Sequence, residues 1–499
     1  MSSAEKIEDI AKRKGFFWLS SEIYGGMSGF YDYGHLGALM KRKWENLWRS
    51  YFLSLDDNFY EISPATIMPE GVFVASGHLE SFVDPVVKCK KCGHMERADH
   101  ILEEELKENF EGVSSEELEK LIKQHGIKCS KCRGPLEEVG TLNMMFPLNV
   151  GTTKVTKAYL VPETAQEAFV NFKRQFEVLR KQLPLGLAVV GKAYRNEISP
   201  RNLLLRMREF TQAELQIFFD HDNVGEHEEF DEIKDYKLCL FPTANKQTGK
   251  VEEVSCWAII EKMDLPKFYV YHLAKIQQFY LDILKIPKEK FRLRELSEEE
   301  RAFYNKIHWD IEVELNDLGF KELGGCHYRT DHDLSGHQKI SKQDMTVNIE
   351  GKEILAHVLE LSFGVDRNIY ALLDIAYAEE KDRTVLRLPF GAAPYDAAIL
   401  PLVNKEGMPG LAEKIKDVLK AKGFTVFYDY SGSIGRRYRR MDEIGTPFCI
   451  TVDTGSLSSK DVTIRDRDSM KQIRVGIEHL PMVLEQLINY RIEFTEAEK

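Results

Sequence analysis

The sequence predicts an α+β protein of two or three domains, and three observations carry that prediction. At 499 residues the chain is too long for one compact core. Residues 185–196 and 208–220 both read as strands joined by a polar loop containing Pro200 and Arg201, an antiparallel hairpin with a long loop. From Asp396 onward strand and helix patterns alternate, as they do in a small α/β domain.

In chain order, a helical segment from Ala4 to Lys14 leads into Gly15-Phe16-Phe17, and a glycine-rich aromatic stretch runs from Tyr24 to Gly37. Leu39 to Phe52 is amphipathic, with Met40, Trp44, Leu47 and Trp48 on helical spacing, a stripe that reads as core. Residues 89–135 form a charged excursion from the main domain, within which Ser114 and Glu117 make a capping box opening a short helix to Gln124. The stretch 222–305 mixes helical patterns with charge and reads as a possible second insertion. Pro389, Gly391 and Pro394 mark a linker. Beyond it come strand Asp396 to Val403, helix Gly410 to Ala421, strand Phe424 to Asp429 and helix Ile434 to Ile444. Strands Phe448 to Asp453 and Val462 to Arg465 and a last helix near Leu480 to Ile492 complete the pattern. The divisions that follow are 1–88 and 136–390 as two parts of one domain, 89–135 as an insertion, and 391–499 as a second domain.

Composition is that of a soluble globular protein, 43% hydrophobic and 30% charged. No apolar run approaches the roughly 18 residues that a membrane span needs. The charged N-terminus has no apolar signal core, which points to the cytoplasm. The net charge of -12 argues neither for nor against a nucleic-acid partner, since RNA is bound through local basic patches.

Of eight cysteines, four fall in Cys89-x-x-Cys92 and Cys129-x-x-Cys132, while Cys239, Cys256, Cys326 and Cys449 are scattered. This suits a reducing compartment and one metal site better than a disulfide framework. Each pair can form a knuckle presenting two thiolates, and four thiolates favour a closed, structural Zn2+ site. His94 and His100 are spare ligand candidates.

Two distant stretches fit one ATP site. Arg195-Asn196-Glu197 precedes a basic loop, Arg206-Met207-Arg208-Glu209-Phe210 and Glu214; much later comes Glu360-Leu361-Ser362-Phe363-Gly364-Val365-Asp366-Arg367. Arginine suits phosphates because its planar fork donates two parallel hydrogen bonds and stays charged. The ordered set resembles motifs 2 and 3 of the class II aminoacyl-tRNA synthetases. That resemblance implies an antiparallel-sheet catalytic domain flanked by helices, carrying a zinc-ribbon-like insertion and a C-terminal α/β anticodon-binding domain. It also implies that Arg195 contacts the α-phosphate and the carboxylate being activated, and that Glu197 takes the adenine amino group. Phe210 then stacks on adenine, Arg206 reaches the distal phosphates, and Arg367 covers the other adenine face and the γ-phosphate. Mg2+ accompanies ATP, with ligands the sequence does not identify.

Further segments are similar to the glycyl-tRNA synthetase family, in the dimeric form of archaea, eukaryotes and some bacteria. They are Ser20 to Gly26 with Tyr31-Asp32-Tyr33-Gly34, Ala75-Ser76-Gly77-His78, Pro162-Glu163-Thr164-Ala165-Gln166, Asn196 to Arg201, Ser433 to Tyr438, and Asp442 to Gly445. The resemblance implies that Glu163, Glu214 and Glu360 surround the glycine ammonium, with the hydroxyl of Ser362, and that Arg329 lies near the glycine end of the pocket. It departs from the family pattern at Val161 (usually arginine), Glu167 (usually glycine), His35 (usually proline) and Gln216 (commonly glutamate). Motif 1, whose proline is Pro64 or Pro69, is the weakest match; through it the family implies a homodimer. Arg436, Arg437, Arg439 and Arg440 surround Tyr438 on one predicted helix, an arrangement that can hold phosphate and stack a base, or that can be a solvated helix balanced by Asp442 and Glu443. The expected partners are tRNA(Gly), glycine and ATP. The alternatives are another class IIa synthetase and a non-catalytic, synthetase-like RNA-binding protein.

Overall fold

The computed structural model describes residues 2–497 except 109, 111, 112, 180 and 303. Its centre is a nine-stranded sheet in the order Glu252–Ser255, Lys237–Phe241, Phe291–Glu295, Ile307–Leu315, Gly319–Thr330, His357–Gly364, Glu209–Phe219, Leu185–Tyr194, Phe59–Glu61. Neighbours are antiparallel except at two places, Lys237–Phe241 beside Phe291–Glu295 and Leu185–Tyr194 beside Phe59–Glu61. The expected hairpin is there, with Leu185 opposite Phe218 and Tyr194 opposite Glu209. The segment 222–305 supplies three strands of this same sheet and the helix Lys267–Gln278 of its main core.

Side chains alternate across a strand, and here the two faces carry different chemistry. Ala213, Leu215, Ile217, Leu361 and Phe363 enter the main core. There they meet the helix His35–Phe52, whose Met40, Trp44, Trp48 and Phe52 recur every four residues and are buried as the spacing predicts. The Phe52 and Phe363 ring centroids lie 4.8 Å apart. The helix Val365–Ala376 closes the same layer. On the opposite face Phe218 stacks on Phe172 of the helix Ala165–Val178 at 4.2 Å. Glu214, Gln216, Glu360 and Ser362, which alternate with the core residues, are left as a polar floor beside that helix.

The first helix spans Ser3–Lys14 and opens on a reciprocal capping box between Ser2 and Glu5. Ser114 likewise caps the helix Ser115–Gln124, although there the hydroxyl-to-Glu117 bond is the half of the box that forms. The strands Val83–Lys88, Met95–Arg97 and Gly140–Asn143 make a small antiparallel sheet. With the helices Ala98–Leu106 and Ser115–Gln124 it encloses its own cluster of Val87, Ala98, Ile101, Leu102, Leu118 and Ile122.

After the linker, five strands lie in the order Val426–Tyr428, Ala397–Pro401, Phe448–Val452, Asp461–Asp466, Gln472–Gly476. The first three are parallel and the last two antiparallel. The helices Met408–Ala421, Ile434–Glu443 and Leu480–Ile488 accompany them. The edge strand Gln472–Gly476 is an element that the sequence reading passed over: it is short, and its exposed positions carry Gln472 and Arg474.

Candidate active site

Register builds the polar floor. Glu214 lies opposite Ser362 and Gln216 opposite Glu360 on the neighbouring strand, and Glu360 in turn lies opposite His327. Ser362 Oγ donates to Glu214 Oε1 at 2.7 Å, and Thr164 Oγ1 to the other oxygen at 2.8 Å. Gln216 Nε2 donates to Glu360 Oε2 at 2.7 Å, while His327 Nδ1 meets Glu360 Oε1. Because that amide nitrogen is committed to a carboxylate, Gln216 Oε1 points elsewhere, buried and without a partner.

Arg329 closes one end of this pocket and is only 2% exposed. Its Nη1 donates to Glu360 Oε2 at 3.1 Å, and Nε and Nη2 grip Asp333 at 2.8 and 3.0 Å in a bidentate fork. Glu163, just before the helix Ala165–Val178, lies 3.6 Å from both Arg329 Nη2 and His78 Nε2 and accepts from Gln166 Nε2 at 3.1 Å. Gln166 also joins Asp333 and His337, at 3.0 Å each.

The three glutamates do not carry charge equally. Burial opposes ionisation of Glu163, but His78 and Arg329 outweigh it and hold the carboxyl well below the usual range. Burial likewise opposes ionisation of Glu360, and Arg329 and His327 overcome it. Glu214 has no ion-pair partner among the described residues: burial first, then the charges of Glu360 and Glu163, push it up to about 8. A cation brought beside Glu214 would favour its ionised form.

An open cleft adjoins the pocket, lined by Arg195, Glu197, Arg206, Phe210, Ser362 and Arg367 among others. Ser362 lines the cleft and bonds Glu214, so the two compartments meet at this hydroxyl. Arg195 follows the strand Leu185–Tyr194; its Nε donates to Pro162 O at 3.1 Å, and its guanidinium lies 5.3 Å from the Phe210 ring centroid and 5.4 Å from that of Phe82. Glu197 Oε2 accepts from Arg206 Nε at 2.8 Å. Arg367, in the first turn of the helix Val365–Ala376, donates to Leu205 O and Glu322 O at 3.1 Å each.

The structure thus gathers Arg195, Glu197, Arg206, Phe210 and Arg367 at one cleft, and Glu163, Glu214, Arg329, Glu360 and Ser362 at the pocket beside it. Sequence reasoning assigned no role to Asp333, Gln166, His327 or Glu322. Gln166 ends the segment Pro162-Glu163-Thr164-Ala165-Gln166, and Asp333 follows Arg329 by the spacing of a local ion pair. His327 carried no signal, because its partnership with Glu360 exists only across strands. Of the departures, Val161 is fully buried with Met68, Phe73, Met145 and Tyr159. Glu167 is also buried, which pushes its carboxyl up to about 8 and leaves Oε2 unpartnered.

Cys89, Cys92, Cys129 and Cys132 bring their sulfurs within 4.8 Å of one another. Cys89 and Cys132 Sγ are 3.5 Å apart, and Cys92 and Cys129 Sγ 3.7 Å. Four sulfurs at about 2.3 Å from one tetrahedral Zn2+ would be spaced about 3.8 Å from one another, so the donor set fits that ion. The turns repeat: Gly93 N donates to Cys89 O, and Arg133 N to Cys129 O. A side chain at Gly134 would run within 3.2 Å of two of the sulfurs. His94 and His100 are outside this group.

The four C-terminal arginines have different surroundings. Arg437 is 2% exposed and donates to the carbonyls of Pro401, Asp429 and Leu402. Arg440 is held by Asp429 and Ser431 O, Arg439 lies 3.6 Å from Asp442, and Arg436 is exposed.

A mostly antiparallel sheet carrying an arginine-lined cleft beside a buried carboxylate pocket, followed by an α/β domain, defines the class II aminoacyl-tRNA synthetase. The family description "tRNA synthetase class II core domain (G, H, P, S and T)" matches residues 152–376, and "Anticodon binding domain" matches residues 396–487. The glycine–tRNA ligase of Pyrococcus horikoshii is 42% identical over 97% of this chain and 98% of its own length. Those of Thermococcus kodakarensis and Methanococcus maripaludis are 41% and 37% identical, over 97% and 96% of this chain and 98% of their own lengths. The chain belongs to the glycine–tRNA ligase family.

Proposed function

We propose that this protein joins glycine to tRNA(Gly) at the expense of ATP. The observation that carries this reading is the meeting at Ser362 of a carboxylate pocket able to take one more cation with an arginine-lined cleft. Glycine has no side chain to grip, so its ammonium is the handle, and Glu163, Glu214 and Glu360 supply the counter-charge. A glycine carboxylate oxygen attacks the α-phosphorus, the bond to the β-phosphate oxygen breaks, and pyrophosphate leaves. Arg195, which lines the cleft, would balance charge on the α-phosphoryl group, with Arg206 and Arg367 on the distal phosphates, Glu197 on the adenine amino group and Phe210 stacked on adenine. The 3′-terminal hydroxyl of tRNA then takes the glycyl group and AMP leaves. Positioning and electrostatics carry the catalysis, with no covalent enzyme intermediate.

Mg2+ would neutralise phosphate charge; among the cleft carboxylates Glu197 is engaged by Arg206, Asp366 by Tyr33 and Thr211 N, and Glu322 by Arg367 Nη1 at 3.2 Å. Zn2+ on the four cysteines would be structural. In the C-terminal helix the exposure of Arg436 supports RNA contact there, with Arg439 and Arg440 at the margin, whereas the carbonyl bonds of Arg437 support a structural role. A homodimer follows from the family. No helix among the described residues is long and apolar enough to cross a membrane, and a cytoplasmic enzyme is the reading this accompanies.

Amino-acid-dependent ATP–pyrophosphate exchange tests the proposal, with glycine beside alanine, serine, proline and threonine. Exchange with glycine alone is expected. Exchange with another amino acid would reassign the pocket, and none from folded, zinc-replete protein would favour a non-catalytic RNA-binding role.

A further inference from the structure

The helix Ala98–Leu106 belongs to the segment that bears the cysteines, yet its first turn reaches the nucleotide cleft. His100 Nε2 lies 3.4 Å from Arg206 Nη1, on the other side of the guanidinium from Glu197, which accepts from Nε at 2.8 Å. We propose that His100 is a positioning residue for Arg206, holding its guanidinium at the distal-phosphate end of the ATP cleft. The inference rests on the ATP reading given above.

Three features support it. An arginine can only donate, so Nε2 must accept and the imidazole proton must sit on Nδ1. The ring stays in that neutral form because burial lowers its pKa and the Arg97, Arg201 and Arg206 charges lower it further against the opposing Asp99, leaving it at about 3. The ring's backbone is itself fixed: Asp99 Oδ1 accepts from His100 N at 2.8 Å and from Arg97 Nε at 3.0 Å, and Arg97 Nη1 reaches Asp84 at 2.8 Å. Glu104 on the same helix comes within 3.9 Å of Arg201, on the loop that leads to Arg206. An arginine on a long loop otherwise surrenders rotamer freedom each time it meets a phosphate, and one clamped from two sides has surrendered it beforehand.

The test is glycine-dependent ATP–pyrophosphate exchange on His100→Leu and His100→Gln, each also made with Arg206→Ala, alongside melting temperature. His100→Leu should raise the ATP KM about tenfold or more, as loss of one hydrogen bond to a charged group does, with the glycine KM and kcat within about twofold. His100→Gln, whose amide oxygen reaches the place of Nε2, should restore the ATP KM. On Arg206→Ala, His100→Leu should add nothing. An unchanged ATP KM in His100→Leu, a His100→Gln as impaired as His100→Leu at equal melting temperature, or an additive effect on Arg206→Ala would overturn the assignment. If His100→Leu fails to fold, His100→Ala takes its place in the same cycle. If the unsubstituted protein itself shows no exchange, the activity reading fails, and calorimetric ATP titration of the same variants decides the role of His100 separately.

Discussion

Glu214 is the pocket residue whose charge its neighbours do not settle, and that makes it the residue to read by pH. Its carboxyl sits at about 8 in the folded protein against an ordinary 4.5. The native state therefore holds this proton more tightly than the unfolded chain, and the associated stability is present at low pH and lost as pH rises from about 4.5 through 8. A glycine ammonium replaces the proton, so binding below pH 8 must first displace it. The glycine KM should fall as pH rises from 6 to 8.5, by at most about tenfold per unit. Glu214→Gln keeps the shape and removes the titration: its glycine KM should be high and flat with pH, and its melting temperature should exceed that of the parent above pH 8. A pH-dependent KM surviving in Glu214→Gln would move the titration to another group. Arg329 poses the complementary question of geometry at constant charge. Arg329→Lys keeps a cation near Glu163 and Glu360 but loses the fork onto Asp333, and it should raise the glycine KM tenfold or more, about 1.4 kcal/mol, while leaving the ATP KM near its parent value.

At the scale of elements, the thiolate module and the arginine-bearing helix each separate a structural role from a contacting one. Cys92→Ser removes the exposed member of the sulfur cluster and should abolish stoichiometric zinc, measured by elemental analysis as one ion per chain in the parent. In the helix Ile434–Glu443, Arg436→Ala should raise the KM for tRNA without moving the melting temperature. Arg437→Ala should instead destabilise by about 1–3 kcal/mol, because it removes a buried guanidinium and orphans the buried carbonyl of Pro401 along with those of Asp429 and Leu402. Melting curves and charging kinetics on the pair distinguish these outcomes. The same scale explains what the sequence made legible. The hairpin, the tryptophan-bearing helix and the C-terminal alternation are long and periodic, and their patterns survive without any partner. The segment 222–305 resisted reading because its strands Lys237–Phe241, Glu252–Ser255 and Phe291–Glu295 are short, interleaved with helices, and joined to a sheet whose other members lie far away in the chain. In the candidate site, Arg195, Glu197 and Phe210 stand together in the sequence because one hairpin carries them. Glu163 and Arg329 are reached through family resemblance, His100 only as a spare zinc-ligand candidate, and His327 not at all. Their meaning lies in register and in a contact between an insertion and a loop, neither of which has a local signature.

Across the whole molecule, Asp442 and Glu443 change from apparent surface balance to the joint between domains. Asp442 is 0% exposed and accepts a bidentate pair from Arg465 at 2.8 and 3.0 Å and a further bond from Arg383 at 3.0 Å. Glu443 pairs with Lys14 of the first helix. Arg383 lies on the hairpin that follows the helix Val365–Ala376, and that helix carries Arg367 into the ATP cleft. One helix therefore bears the exposed Arg436 near its start and grips the catalytic domain near its end. Removing the charge at this joint leaves two buried guanidiniums without it, a loss of about 3–5 kcal/mol for a broken buried pair. Asp442→Asn is isosteric, so the effect is electrostatic and not a cavity. Calorimetry should show the C-terminal domain melting ahead of the catalytic domain, and tRNA charging should lose efficiency while pyrophosphate exchange, which needs no tRNA, stays near its parent rate below that first transition. Arg465→Met in the same chain should recover part of the stability by removing the guanidinium whose carboxylate partner is Asp442, Arg383 keeping its pairing with Glu380, whereas a joint that acts only through shape would respond to neither substitution. Equal losses of exchange and charging at a temperature where both domains are folded would instead mean that Asp442 supports the catalytic domain itself, through the hairpin behind Arg367, and not the docking of the domain that meets the tRNA.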